Sequence, residues 1–326
     1  MSTSLDALLP DPEQSMRCAD HARGLALDPG GSAIRADRVV VVSVPLPWPK
    51  PALAHPMLTR LRATLDEWDA PVRLLAAVPD PGRAHDVAVF DRIDGGAIER
   101  RFRLDDAGDG EALGAFGAAL VAGEPTATEL GTATETPDPS VLVCTQGSHD
   151  ICCGSDGARL ASDLITDPVL GGRVEIYRVS HTGGHRFAPT IMTLPDGRMW
   201  AYVDRPAVER IVSASARGPS PANELDAGLL GRCRGWWGAD TGPAQVAERA
   251  VFGETGWPLD LSARHVTVLD EAGPEWVVCR VDSDHGAWLV TVGTGREVPT
   301  IACREPGGQP SKPGREYVVA SIEAVG

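Results

Sequence analysis

Residues 140–165 read SVLVCTQGSHDICCGSDGARLASDLI, and residues 173–185 read RVEIYRVSHTGGH. SVLVC (140–144) is a short continuous apolar run, the pattern of a strand buried on both faces. SDGARLASDLI (155–165) reads as a helix opening on Ser155, a residue type suited to capping it. RVEIYRVS (173–180) is the next strand. PTIMTLPDGRMWAYV (189–203) follows as a hairpin turning at Pro195-Asp196-Gly197. RPAVERIVSASARG (205–218) is a helix with proline in its first turn and glycine at its end.

The same order stands about a hundred residues upstream. RVVVVSV (38–44) is a buried-type strand, and HPMLTRLRATLDEW (55–68) carries Leu58, Leu61 and Leu65 at helical spacing. PVRLLAAV (71–78) is a strand, and DVAVFDRIDGGAIERRFRL (86–104) alternates around Asp94-Gly95-Gly96 as a hairpin. EALGAFGAALVAG (111–123) is a helix ending at glycine. Strand, helix, strand, hairpin, helix is a thioredoxin-like layout: the crossover makes the first two strands parallel and the hairpin adds antiparallel ones. The predicted class is α/β, with tandem thioredoxin-like domains of mixed sheet flanked by helices, plus a small C-terminal α+β domain. Two copies in register point to an internal duplication.

The organisation predicted is an N-terminal extension (1–36), a repeat without ligands (37–123), a Thr/Pro/Gly-rich linker (124–138) and a second repeat (139–218). An accessory domain follows at 228–326. CRGWWG (233–238) is too aromatic for a free linker. In the accessory domain one helix (243–253) precedes short strands of unassigned topology.

At 326 residues the chain is long enough for two or three domains. Its formal charge of -15 disfavours nucleic acid and anionic lipid surfaces as partners. No apolar stretch reaches the length of a membrane span, and the N-terminus lacks the pattern of a secretory signal, so a cytoplasmic protein is expected. The seven cysteines are an odd number. Clustered as they are near histidines, in a reducing compartment they read as metal ligands better than as a disulfide framework.

Cys144 ends the first strand of the second repeat, Cys152 and Cys153 precede its helix, and His181 and His185 follow its second strand. If those strands are parallel, both C-terminal ends open on one sheet edge, where open α/β sheets place their sites. Gly183 and Gly184 permit positive φ, letting the loop bend both imidazoles inward. Two thiolates and two imidazoles satisfy tetrahedral zinc. They also satisfy a two-iron cluster with cysteines on one iron and histidines on the other. Eight residues lie between Cys144 and Cys153, against the two to four usual in zinc knuckles. Spacing alone leaves iron–sulfur and zinc about level.

CTQGSHDICCG followed by HTGGH resembles the signature of the sucrase/ferredoxin-like family, whose members include a yeast actin-patch-distribution protein. The resemblance is close over 140–205 and looser over 18–50. It implies a thioredoxin-like ferredoxin domain in which Cys144 and Cys153 hold one iron of a [2Fe–2S] cluster and His181 and His185 the other. Family spacing selects Cys153 over Cys152. His149, Cys152, Gly183 and Gly184 then become candidates for the surrounding shell. Histidine ligation raises the potential relative to an all-cysteine ferredoxin and couples electron to proton transfer. The implied activity is one-electron transfer with an unnamed donor or acceptor, a reductase or a small quinone-like molecule, and an oxidoreductase role is open. No carboxylate pair argues for glycoside hydrolysis.

Other candidates carry less. Cys18 with His21 offers two ligands only, and Cys233, Cys279 and Cys303 read as isolated, the last two as core residues. Asp282, Asp284 and His285 have the composition of a tight turn. Trp236 and Trp237 read as a packing anchor. The first repeat offers only His85 in the corresponding loop.

Overall fold

In the computed structural model, which describes residues 5–106, 108–124, 129–131, 133–134, 138–217, 225–270 and 275–325, the two repeats share one sheet. A short helix α1 (Cys18–Gly24) comes first. The first repeat is β1 (Arg38–Ser43), α2 (Thr59–Asp66), β2 (Val72–Ala77), β3 (Val87–Ile93), β4 (Gly96–Phe102) and α3 (Gly110–Ala122). The second is β5 (Ser140–Cys144), α4 (Ala158–Thr166), β6 (Glu175–Val179), β7 (Ile191–Leu194), β8 (Arg198–Trp200) and α5 (Arg205–Arg217). Beyond it lie α6 (Ala227–Leu230), β9 (Cys233–Trp236), α7 (Gly242–Thr255) and four strands: β10 (Arg264–Asp270), β11 (Trp276–Ser283), β12 (Gly286–Thr300) and β13 (Lys312–Val325).

The large sheet has the order β4-β3-β1-β2-β6-β5-β7-β8-β9. Each repeat therefore contributes the same four strands, laid out as mirror sequences about the β2/β6 seam. β1 runs parallel to β2 from Arg38↔Val72 to Ser43↔Ala77, and β5 parallel to β6 from Ser140↔Glu175 to Cys144↔Val179. The seam itself is antiparallel and short, with Ala77 opposite Val179. The backbone bonds Val78 N to Arg178 O and Ser180 N to Ala76 O flank it.

Strand alternation explains the layering. Val40 and Val42 face α2 and α3, where Leu61, Leu65, Leu113 and Phe116 are buried against them. Val39 and Val41 face the other way, into a core continuous across the seam through Leu142, Tyr177, Met192, Trp236 and Trp237. The α3 ends are set locally. Asp109 accepts a bond from Glu111 N at the start, and Gly123 takes φ 69° at the finish. The C-terminal strands form a four-stranded antiparallel meander, β10-β11-β12-β13. Val251 and Phe252 of α7 fill the space against its Cys279, Val281 and Val290.

Two local expectations change, and the aromatic segment packs as expected. Ser155 caps nothing: its Oγ donates back to Ile151 O at 2.9 Å, inside a wide π-type turn over Cys153–Gly157. Asp150 takes the capping place, its Oδ1 accepting from Cys152 N at 2.8 Å, so coiling begins before the cysteine pair. In the linker, Glu129 pairs with Phe102 and Thr134 with Glu99, so the described part of it lies along the β4 edge. CRGWWG supplies β9 of the large sheet. Trp236 and Trp237 are both buried, and Gly197 at φ 70° lies against the Trp237 ring.

Candidate metal centre

The parallel pairing of β5 and β6 brings the ends of both strands to one edge, with Cys144 opposite Val179. Cys144 and Cys153 are buried together in a small cluster with Cys18, Cys152 and Ala188. Cys144 accepts hydrogen bonds from the Cys153 thiol, from His181 and from Thr182 N. The bond from Cys153 holds the Cys144 thiol well below its usual range, against burial, and the same bond pushes Cys153 well above. Gly157 makes this approach possible, since a Cβ there would lie 2.0 Å from Cys144 O. Gly154 likewise stands against Gly147, closing the cysteine loop on itself.

The histidines gather at the same edge. The His181 and His185 ring centroids are 5.9 Å apart, and His149 stacks on His181 at 3.9 Å while lying 5.7 Å from His185. Burial pushes His149 down to about 4, with the two neighbouring imidazoles adding to the effect. Gly183 and Gly184 take φ 78° and 66°, and the buried Arg234 guanidinium occupies the space a Gly184 side chain would need. Arg234 ties this loop to Ser32 and to Gly183 O; burial brings it down to about 10. Arg73 of the first repeat donates to His181 O, and Gln146 Oε1 accepts from His181 N at 3.1 Å. Gln146 Nε2 reaches Pro49 O of the first repeat at 3.0 Å.

Asp150 is the residue the motif reading passed over. His185 Nδ1 donates to Asp150 Oδ2 at 3.0 Å, and the Cys18 thiol donates to the same oxygen at 3.2 Å. Burial alone would raise this carboxyl, yet the bonds from His185, Cys18 and Cys152 N bring it down to about 2. Cys152 meets a different pair of thiols, with its Sγ 3.7 Å from that of Cys18 and 3.5 Å from that of Cys303. Cys152 Sγ is the alternative acceptor for the single Cys18 proton, and this neighbour brings Cys152 down to about 6, against burial. Cys303, expected in the core, is only half-buried and belongs to this cluster; Cys18 is buried beside it. His21 does not join: its Nε2 bonds to Leu8 O.

The described residues therefore bring Cys144, Cys153, His181 and His185 to one rim. The donor set suits either a tetrahedral zinc ion or a two-iron cluster. One observation favours a bound group over a packed core: His181 Nδ1 is buried and has no hydrogen-bond partner. A cavity of about 420 Å³ opens over His149 and His185, lined also by Lys50, Thr300, Cys303 and Lys312.

The family model described as sucrase/ferredoxin-like matches residues 30–225 of this chain. The chain belongs to the sucrase/ferredoxin-like family. No curated protein matches it. Among solved structures it is similar in part to a variant of the thioredoxin-like [2Fe-2S] ferredoxin from Aquifex aeolicus. That similarity has 25% identity and a TM-score of 0.21, and covers 26% of this chain and 91% of the ferredoxin. This sucrase/ferredoxin-like protein extends well past the matched region, through β10–β13. Those strands contribute Thr300 and Lys312 to the cavity, and Cys303 lies between β12 and β13. Among its described residues no helix is long and apolar enough to cross a membrane. Asp282 pairs with Arg280, and the His285 imidazole contacts Pro258 O, as in an ordinary turn.

Proposed function

We propose that this chain is a one-electron redox protein in which Cys144, Cys153, His181 and His185 ligate a [2Fe–2S] cluster. The observation that carries the reading is the buried Cys144–Cys153 contact meeting the His181/His185 pair at one rim, with a buried imidazole nitrogen lacking a partner. Such a cluster supplies reversible one-electron chemistry, at potentials of roughly -150 to +300 mV where two histidines replace two cysteines.

The protein's own groups orient the ligands. Gln146 and Arg73 hold the His181 backbone from both sides. Asp150 fixes the His185 ring through Nδ1–H, which leaves Nε2 as the free lone pair and makes it a stronger donor. The proton on His185 Nδ1 thus has an acceptor in place, which supports coupling of electron and proton transfer. The groups facing the two imidazoles are Asp150, His149, Cys18 and Cys144, while the Arg73 guanidinium reaches the His181 backbone carbonyl. Electron exchange with a reductase or a small quinone-like molecule takes place at the cavity above His149 and His185. Zinc in the same four ligands is the rival, because Cys144, Cys153 and His181 already touch.

Purified full-length chain decides between them. A reddish-brown protein with about two irons per chain supports the cluster. A colourless protein whose metal in these four ligands is zinc rejects it. In the cluster-bearing protein, the midpoint potential falls by up to about 59 mV per pH unit over some part of the alkaline range. A potential flat from roughly pH 6 to 10 removes the proton coupling.

A further inference from the structure

Cys18, Asp150, Cys152 and Cys303 form a second cluster, and the redox reading uses none of them as a ligand. Their potential ligand atoms all lie within 4.8 Å of one another. The thiols of Cys18 and Cys152 are 3.7 Å apart and those of Cys152 and Cys303 3.5 Å apart, and Cys18 Sγ is 3.2 Å from Asp150 Oδ2. A tetrahedral zinc ion with Zn–S bonds of about 2.3 Å sets its sulfurs about 3.8 Å apart. The side chains stand close to that spacing.

They come from three remote parts of the chain, and the backbone holds them there. Arg304 N donates to Met16 O at 2.7 Å and Gly307 N to Gln14 O at 2.9 Å, which clamps the Cys303 segment over the start of α1. Gly307 and Gly308 take positive φ to turn the chain back. Three small thiols around a buried carboxylate contribute little apolar burial, whereas three sulfurs and one oxygen complete a closed ligand set. Cys18 and Cys303 both lie outside residues 30–225.

We propose that Cys18, Cys152, Cys303 and Asp150 bind one divalent transition-metal ion of the zinc class in a structural site. The ion pins α1 and the 302–308 segment onto the cysteine loop. Asp150 Oδ2 also accepts from His185, so the ion lies one side chain away from the redox ligand.

The test uses full-length chain produced with zinc in the medium, as wild type and as Cys303→Ser, Cys18→Ser and Cys144→Ser. Zinc and iron are measured together, and Co²⁺ is titrated into chain stripped of metal. The wild type carries about one zinc per chain and gives the thiolate charge-transfer and visible bands of tetrahedral Co²⁺. Cys303→Ser loses the zinc and binds Co²⁺ more than about tenfold more weakly, with iron unchanged. Cys144→Ser loses iron and keeps zinc. Cys303 is half-buried, so its variant carries the test, with folding checked by circular dichroism, should Cys18→Ser fail to fold. The proposal is overturned by a folded wild type that takes up neither zinc nor Co²⁺, or by zinc undiminished in Cys303→Ser. It is equally overturned by peptide mapping that finds Cys152 in a disulfide with Cys18 or Cys303.

Discussion

Cys152 and Cys153 are neighbours in sequence with different surroundings. In a helical turn successive side chains diverge by about 100°, so the pair cannot serve one centre equally. Cys153 meets Cys144, whereas Cys152 meets Cys18 and Cys303. Replacing Cys153 with serine is therefore expected to take iron from about two per chain to nearly none, with the visible absorption lost in parallel. Cys152→Ser is expected to keep the iron and the colour while losing the second metal. Iron content and absorption spectra of the two purified variants check this, and equal iron loss in both would remove the division of labour. Family spacing selected Cys153, and it is Cys153 that contacts Cys144. The role of Cys152 was not legible, because its partners stand 134 and 151 residues away in sequence. Asp150 could have been found: an Asx residue two places before a helical pair is a capping signal, and that cap places its carboxylate among the thiols.

At the scale of elements, the repeat pattern was readable because strand and helix periodicities are local, and both copies fold as their apolar spacing dictates. The seam between them was not readable. It rests on a short β2–β6 pairing and on side chains from different repeats. His85, from the loop before β3, places Nε2 2.8 Å from Tyr177 Oη on β6, and Arg83 pairs with Glu175 while lying over the Tyr177 ring. Burial lowers His85 to about 4, with Arg101 and Arg83 adding to it and Glu175 and Asp86 opposing. A histidine whose folded pKa is depressed gives its full stability above its ordinary value of 6.5, and that stability drains away as pH falls toward about 4. The loss amounts to at most about 3 kcal/mol. His85→Gln keeps a partner for Tyr177 without the titration. Its melting temperature is expected to fall less than the wild type's between roughly pH 7 and 4.5, as thermal melts by circular dichroism would record. Parallel curves would place the acid sensitivity elsewhere.

Across the whole molecule the charge is lopsided in a way that bears on the proposed electron exchange. The chain carries a formal charge of -15, and only two of its 30 Lys and Arg residues are lysines, Lys50 and Lys312. Both line the cavity over His149 and His185. One comes from the loop after β1, the other begins β13, and nothing in the local sequence of either pointed to the other. Asp150 and Glu305 line the same cavity, so the site is mixed in charge, with two ammonium groups set against two carboxylates. A mobile ammonium in an otherwise acidic field attracts an anionic reactant by a few-fold in rate at low ionic strength, and the effect fades as salt shortens the screening length to about 10 Å at 0.1 M. Replacing both lysines with glutamine should therefore slow oxidation of the reduced protein by ferricyanide roughly two- to tenfold at low salt. Oxidation by a neutral quinone should change far less, and the two proteins should converge at high salt. Stopped-flow rates with both oxidants supply the comparison. An equal slowing with both would mean that the lysines act on the centre itself and that the cavity is not the door. Selective slowing with the anion would place electron exchange where the two repeats and the C-terminal strands meet, and would explain why His149 and His185 are turned toward that opening.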